Sequence, residues 1–218
     1  MIEYMENFST DTKHVNADNS AVLVLAAGRS QRMGSPKFAL QFTDKQSFLE
    51  RIISIYSSLR FGQILVVINS DHCKHSILSH IKEHYKHIQF VVNEYPEKGR
   101  LYSVQLGLRQ VNKPFCFIQN VDNPFISESV LNKLLVESKP FRIVIPFFQD
   151  KNGHPIVIPE RYHQGIVNEL ATETTLKKCL SVFQKQLIEV DDESILLNLN
   201  TPADYQYYFG HPPLPCIG

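Results

Sequence analysis

The sequence predicts an α/β protein built on a mainly parallel sheet, and three observations carry that expectation. Five short runs of β-branched and aromatic residues are continuously apolar, as in strands buried on both faces; a strand with one wet face would alternate. Segments with helical spacing lie between those runs, so strand and helix alternate through residue 145. A chain of 218 residues, 43% apolar and 20% charged, can bury one sizeable core, and a single domain is expected.

The first strand is Val22–Leu25. Phe48, Leu49, Ile52, Ile53, Tyr56 and Leu59 then recur at i, i+3, i+4 and i+7 spacing, one apolar face of a helix that Asp44 or Ser47 can cap. Ile64–Ile68 forms the second strand, residues 72–85 the second helix and Phe90–Val92 the third strand. Gly99 opens a helix over 101–110, and Phe115–Ile118 is the fourth strand. Ser127 caps a helix over 127–138, with Glu128 in the first turn, where the helix dipole favours an acid. Ile143–Ile145 is the fifth strand, and the crossovers are expected to be right-handed. Beyond it, Gly153-His154-Pro155 leads into a strand at Ile156–Ile158. A helical region near 160–182, strands near 187–190 and 195–197 and a final helix follow. In that helix Thr201 is the N-cap, Pro202 takes the first position and Asp204 completes a capping-box-like pattern. Tyr205, Tyr208 and Phe209 form its apolar face. Residues 1–19 read as a polar arm and 211–218 as a proline-rich tail without regular structure, leaving 20–210 as the domain.

Lys and Arg together number 22 and so do Asp and Glu, so no basic excess points to nucleic acid. Apolar runs fall far short of the roughly 20 residues a membrane span requires, and no membrane partner is expected. Residues 1–19 lack the apolar centre of a signal peptide, and the expected location is the cytoplasm. Cys73, Cys116, Cys179 and Cys216 lie far apart with no C-x-x-C pair, so they read as reduced, mostly buried thiols. His72, His75, His80, His84 and His87 cluster in one stretch, but helical spacing spreads them over several faces of a solvated surface.

In an open α/β sheet ligands bind beyond the carboxyl ends of the strands, so the segment after the first strand is searched first. Residues 25–37, L-A-A-G-R-S-Q-R-M-G-S-P-K, carry two glycines, two arginines, two serines and a lysine. Gly28 and Gly34 permit positive φ and close backbone approach, so that successive N–H groups can face phosphate oxygens. Arg29, Arg32 and Lys37 neutralise charge. Five residues separate the glycines and Lys37 stands three beyond Gly34, which excludes the G-x-x-x-x-G-K-[ST] phosphate loop. G-x-G-x-x-G is absent as well.

The loop resembles the signature of the MobA-like NTP transferases, L-A-[AG]-G-x-S-x-R-M-G-x-x-K, at every fixed position. N-E-Y-P-E-K-G-R-L-Y-S at 93–103, V-D-N-P-F at 121–125, G-H-P at 153–155 and N-L-N-T-P-A-D-Y at 198–205 follow in that family's order. The resemblance spans about residues 21–209. It implies a Rossmann-like three-layer α/β/α sandwich of the nucleotide-diphospho-sugar transferase type. It also implies a magnesium-dependent nucleotidyltransferase that moves NMP from an NTP onto a phosphate-bearing small molecule, such as the molybdopterin cofactor, and releases pyrophosphate. By the same resemblance Asp122 binds Mg²⁺, with Asn200 as second contact and Asn198 as the alternative. Lys37 and Arg32 serve the triphosphate, Gly28, Arg29 and Ser30 supply loop donors, and Ala26, Ala27, Asn93, Gly99 and Ser103 receive the nucleotide.

Ala27 stands where guanylyl-type relatives usually carry Gly, and so points to CTP, with GTP the alternative. The N-L-N-T-P segment resembles the guanylyl branch, since cytidylyl-type relatives carry D-I-D-T-P there. His154 either contacts the acceptor or braces its strand. Glu169–Leu176 lacks the G-D-x-G-A-R of cytidylyl-type relatives, so a sugar or polyol phosphate remains an alternative acceptor. A nucleotide-binding regulatory module without turnover is a further alternative. A monomer or small homo-oligomer is expected.

Overall fold

The computed structural model describes residues 15–170 and 174–214. In chain order these form β1 (Ser20–Ala26), β2 (Gln41–Thr43), β3 (Gln46–Ser47), α1 (Phe48–Ser58), β4 (Gln63–Asn69), α2 (Ser76–His84) and β5 (Ile88–Asn93). Next come α3 (Gly99–Leu108), β6 (Phe115–Asn120), α4 (Glu128–Glu137), β7 (Ile143–Phe148), β8 (Lys151–Asn152), β9 (Ile156–Pro159), α5 (His163–Val167), α6 (Leu176–Cys179), β10 (Lys185–Glu189) and α7 (Pro202–Phe209).

One sheet has the order β10-β7-β9-β6-β1-β4-β5, with β8 hairpinned onto β7. β1 pairs in parallel with β4 and β6, β4 with β5, and β7 with β10; β9 lies antiparallel between β6 and β7. The alternation of side chains along each strand divides the core in two. From β1, Val22, Val24 and Ala26 pack with Ile64, Val66 and Phe117 beneath α1, α2 and α4. Ala21 and Leu23 pack with Leu65, Val67, Cys116 and Ile118 beneath α3, α5 and α6. Both faces are therefore covered, the three-layer sandwich expected from continuously apolar strands.

Local chemistry sets the helix ends. At α1 the cap is Ser47 rather than Asp44, in a full capping box with Glu50. At α7 Thr201 and Asp204 form the second such box. Three expectations are corrected. Residues 195–197 are not a strand: Glu193–Leu196 is a 3-10 turn, because the Asp192 carboxylate takes the Ser194 N–H at 2.9 Å and folds the chain back. The helical region near 160–182 is only α5, α6 and flanking 3-10 turns, with Thr175 starting a new cap between them. The left-handed backbone in the glycine loop falls on Ser30, φ 50°, and Gly34, φ 75°, but not on Gly28.

Of the expected arm, residues 1–14 lie outside the described residues. Residues 15–19 are tied down: Val15 and Ala17 pack on the core, and Gly62 N–H donates to Ala17 O at 2.9 Å. Of the tail, 211–214 is irregular and anchored by Gln41 N–H to Leu214 O at 3.0 Å, and 215–218 are outside the described residues.

Candidate active site

The loop after β1 turns on Ser30. Its carbonyl accepts N–H from Met33 and Gly34, and its hydroxyl accepts the Lys37 N–H at 3.1 Å, so residue 30 fixes both ends of the turn. Met33 pins the loop to the body of the protein. It is buried with Leu40, Phe48, Leu199 and Tyr205, a small cluster that also holds α7. The loop and α7 are thus brought together by apolar packing, and the residues between them face a shared cleft.

That cleft, about 340 Å³, lies at the carboxyl ends of β1 and β6. The loop contributes Ala26, Ala27, Gly28, Arg29, Ser30, Arg32 and Lys37, the first two turns of α3 contribute Gly99, Arg100 and Ser103, and Asp122 and Asn200 complete the floor. A Cβ on Gly28 would meet no protein atom. Nothing in the chain itself therefore demands glycine, and the space it leaves belongs to the cleft. Arg29, Arg32, Lys37 and Arg100 face one carboxylate, Asp122, so the lining favours an anion, and the start of α3 adds partial positive charge.

At the floor, Lys37 Nζ donates to Asp122 Oδ2 at 3.1 Å and to Asn200 Oδ1 at 2.8 Å. Both ionic side chains are largely shielded, 13% and 15% exposed. Asp122 Oδ1 is buried with no hydrogen-bond partner among the described residues. This orphaned carboxylate oxygen and the Asn200 amide oxygen are hard donors of the kind that, in small number, hold a divalent ion completed by water and phosphate. Asn198 is turned aside, its amide donating to Leu196 O at 3.0 Å. At the rim, Arg29 reaches Glu97 at 3.4 Å, a half-exposed pair of little energetic weight.

Two residues expected at the site stand behind it. Asn93 does not line the cleft: fully buried, it accepts the Tyr95 N–H at 2.8 Å and donates to Ser103 Oγ at 3.0 Å, which steadies the approach to α3. His154 also lies off the lining. Its backbone N–H donates to Ile195 O, and Gly153 before it is required because a Cβ there would collide with Ile195. The imidazole Nδ1 is buried without a partner among the described residues. Burial above all, and then the Arg100 guanidinium, hold its pKa down to about 4, against a raising influence from Asp122. Arg100, Gln31 and Asn120 line the cleft and were not singled out in the sequence; Arg100 adjoins Gly99 in the segment that follows β5, where a systematic search of strand ends finds it.

A glycine turn stapled by serine, four cations and an acid at the end of a parallel strand match what residues 22–192 show as a whole: they match the MobA-like NTP transferase domain. The chain belongs to the MobA-like NTP transferase family. This MobA-like transferase is 22% identical over 218 residues to "Probable molybdenum cofactor guanylyltransferase" of Methanosarcina mazei, covering 94% of this chain and 96% of the relative. It is 22% identical over 183 residues to "Molybdenum cofactor cytidylyltransferase" of Escherichia coli, covering 84% of this chain and 92% of the relative. Among solved structures, the manganese complex of Rv0371C from Mycobacterium tuberculosis H37Rv superposes with a TM-score of 0.70 at 18% identity, over 88% of this chain and 98% of that one. No helix among the described residues is long and apolar enough to cross a membrane.

Proposed function

We propose that this transferase moves the NMP of a nucleoside triphosphate onto the phosphate of a molybdopterin-type acceptor, with CTP as the favoured nucleotide and Mg²⁺ as the metal. The single observation that carries the reading is that Lys37 and Asp122, 85 residues apart, meet at 3.1 Å beneath the glycine loop. An acceptor phosphate oxygen attacks the α-phosphorus; the new P–O bond forms as the bond to the β-phosphate oxygen breaks, and pyrophosphate leaves. Such a transfer needs positioning and charge neutralisation more than a protein nucleophile.

The loop N–H groups, with Arg29 and Arg32, hold the triphosphate, and Lys37 meets the charge that grows on the α-phosphate. Asp122 and Asn200 are the residues that would hold the divalent ion, which would supply neutralisation of the triphosphate's charge. Ala26, Ala27, Gly99 and Ser103 take the nucleoside, with Asn93 supporting Ser103. Arg100 lines the cleft beside Gly99 and adds a cation for phosphate, and His154 braces the strand behind it.

Ala27 is the residue that favours CTP, because its methyl group takes space that a purine would use. GTP is the second reading, favoured by the N-L-N-T-P segment and by the guanylyltransferase name of the Methanosarcina relative. Pyrophosphate release from each of the four NTPs, with Mg²⁺ and molybdopterin, tests the proposal. CTP-dependent release is expected; release from GTP alone overturns the nucleotide choice, and NTP-dependent thermal stabilisation without any release overturns turnover itself.

A further inference from the structure

The two residues proposed as metal donors already hold a cation that belongs to the chain, although Asp122 Oδ1 itself stays free. Lys37 Nζ contacts Asp122 Oδ2 at 3.1 Å and Asn200 Oδ1 at 2.8 Å. A divalent ion on the same two residues would stand at contact distance from the ammonium. Two cations so close repel strongly even at the effective dielectric of a partly open cleft, so ammonium and metal exclude one another.

We propose that Lys37 is an internal stand-in for the metal ion: it occupies Asp122 in the free protein, keeps divalent ions off, and departs to the triphosphate when nucleotide enters. The inference rests on the reading of Asp122 and Asn200 as the metal donors. Three features favour an exchange over a permanent ion pair. Asp122 Oδ1 is buried and unsatisfied among the described residues, so the ammonium serves only one of the two carboxylate oxygens. The Lys37 backbone is fixed by Ser30 Oγ at 3.1 Å, while its four-carbon stem leaves the head free to swing along the cleft. The lining carries three further cations, Arg29, Arg32 and Arg100, that draw phosphate to the place where Lys37 would meet it. Metal affinity is then created by nucleotide binding, and free metal binds weakly.

The test is Mn²⁺ binding to the full chain without nucleotide, read from the electron paramagnetic resonance of free Mn²⁺. Wild type is compared with Lys37→Met, Lys37→Gln, Asp122→Asn and Lys37→Met with Asp122→Asn combined. Removing a competing unit charge at contact distance should tighten Mn²⁺ binding by about tenfold or more in both Lys37 variants. The gain should vanish in the double variant. Two Lys37 substitutions are used because methionine leaves Asp122 unpaired and glutamine keeps a hydrogen bond; melting curves show which of them is folded. Equal Mn²⁺ affinity in wild type and a folded Lys37 variant overturns the exchange. A parallel titration with α,β-methylene analogues of CTP and GTP separates this from the parent reading. Binding there that depends on Asp122, with no gain in the Lys37 variants, sinks the stand-in role alone. Absence of any Asp122-dependent binding sinks the metal assignment and the stand-in role together.

Discussion

Replacing Lys37 by alanine removes an ammonium from the ion pair with Asp122 and, in the function proposed, from the developing charge on the α-phosphate. The expected result is a kcat reduced by about 10² or more, the loss typical of a single electrostatic donor at a transition state, and this is read in steady-state pyrophosphate release. His154 offers a second measurement at the same scale, in stability rather than rate. Its imidazole is held to about 4 when folded, against 6.5 for an unperturbed histidine. As pH falls from 6.5 towards 4, the unfolded chain takes up a proton that the folded chain refuses. The contribution of this residue is therefore complete above that window and lost as pH falls through it, by roughly 3 kcal/mol in total. Melting temperature should drop more steeply between pH 6.5 and 4 in wild type than in His154→Gln; parallel curves would show that the residue is not held in its neutral form. Lys37 and Asp122 were each legible from the loop and strand-end motifs. Their contact was not, because spacing along the chain says nothing about which strand ends are neighbours. The setting of Asn93 was not legible for a related reason: an amide after a strand reads as a ligand group, and here Tyr95 and Ser103 use both of its ends.

At the scale of elements, α7 couples stability to the site. The Asp204 carboxylate accepts N–H from Thr201 and from Asn200, both at 2.9 Å, so the group that caps the helix also fixes the backbone of a floor residue. The box at Ser47 and Glu50 caps α1 and reaches no cleft residue. Asp204→Ala and Ser47→Ala should each lower stability by about 1 kcal/mol in urea denaturation. Only Asp204→Ala should raise KM for the metal–nucleotide complex, and an equal effect of both variants would argue against the coupling. At α1 Asp44 and Ser47 were both open and the structure uses Ser47, whereas the box at Thr201 and Asp204 could be read directly from sequence because it is a contact over three residues. The region 160–182 could not. Its helical pieces have five and four residues, too few for a periodicity, and α5 is held from outside by Gln105, whose amide donates to Ile166 O and Glu169 O. The turn at 193–196 misled likewise: Ile195 is fully buried, and an apolar residue carries no mark of whether a strand or a turn presents it.

Across the whole molecule, a ligand that binds only the folded state should raise the melting temperature. At one hundred times its Kd, the preferred NTP with Mg²⁺ adds about 2.7 kcal/mol, or about 5–10 °C for a domain of this size. Differential scanning fluorimetry over four NTPs checks this, and a flat response to all of them counts against a triphosphate site. The parallel half of the sheet was legible because buried strands with covering helices leave a long apolar record. The direction of β9 was not, since the run Ile156–Ile158 reads the same either way. That direction matters. Ile118 of β6 lies opposite Ile156, and Phe115 opposite Pro159, so the reversed strand begins where its neighbour finishes. The residue just ahead of β9 is delivered to the same rim as the residue just past β6, and His154 comes within electrostatic reach of Asp122. The rim thus draws on two kinds of connection, those leaving forward strands and one entering a backward strand. Changes in the hairpin ahead of β9 can reshape the surroundings of Asp122 while the glycine loop after β1 keeps its form.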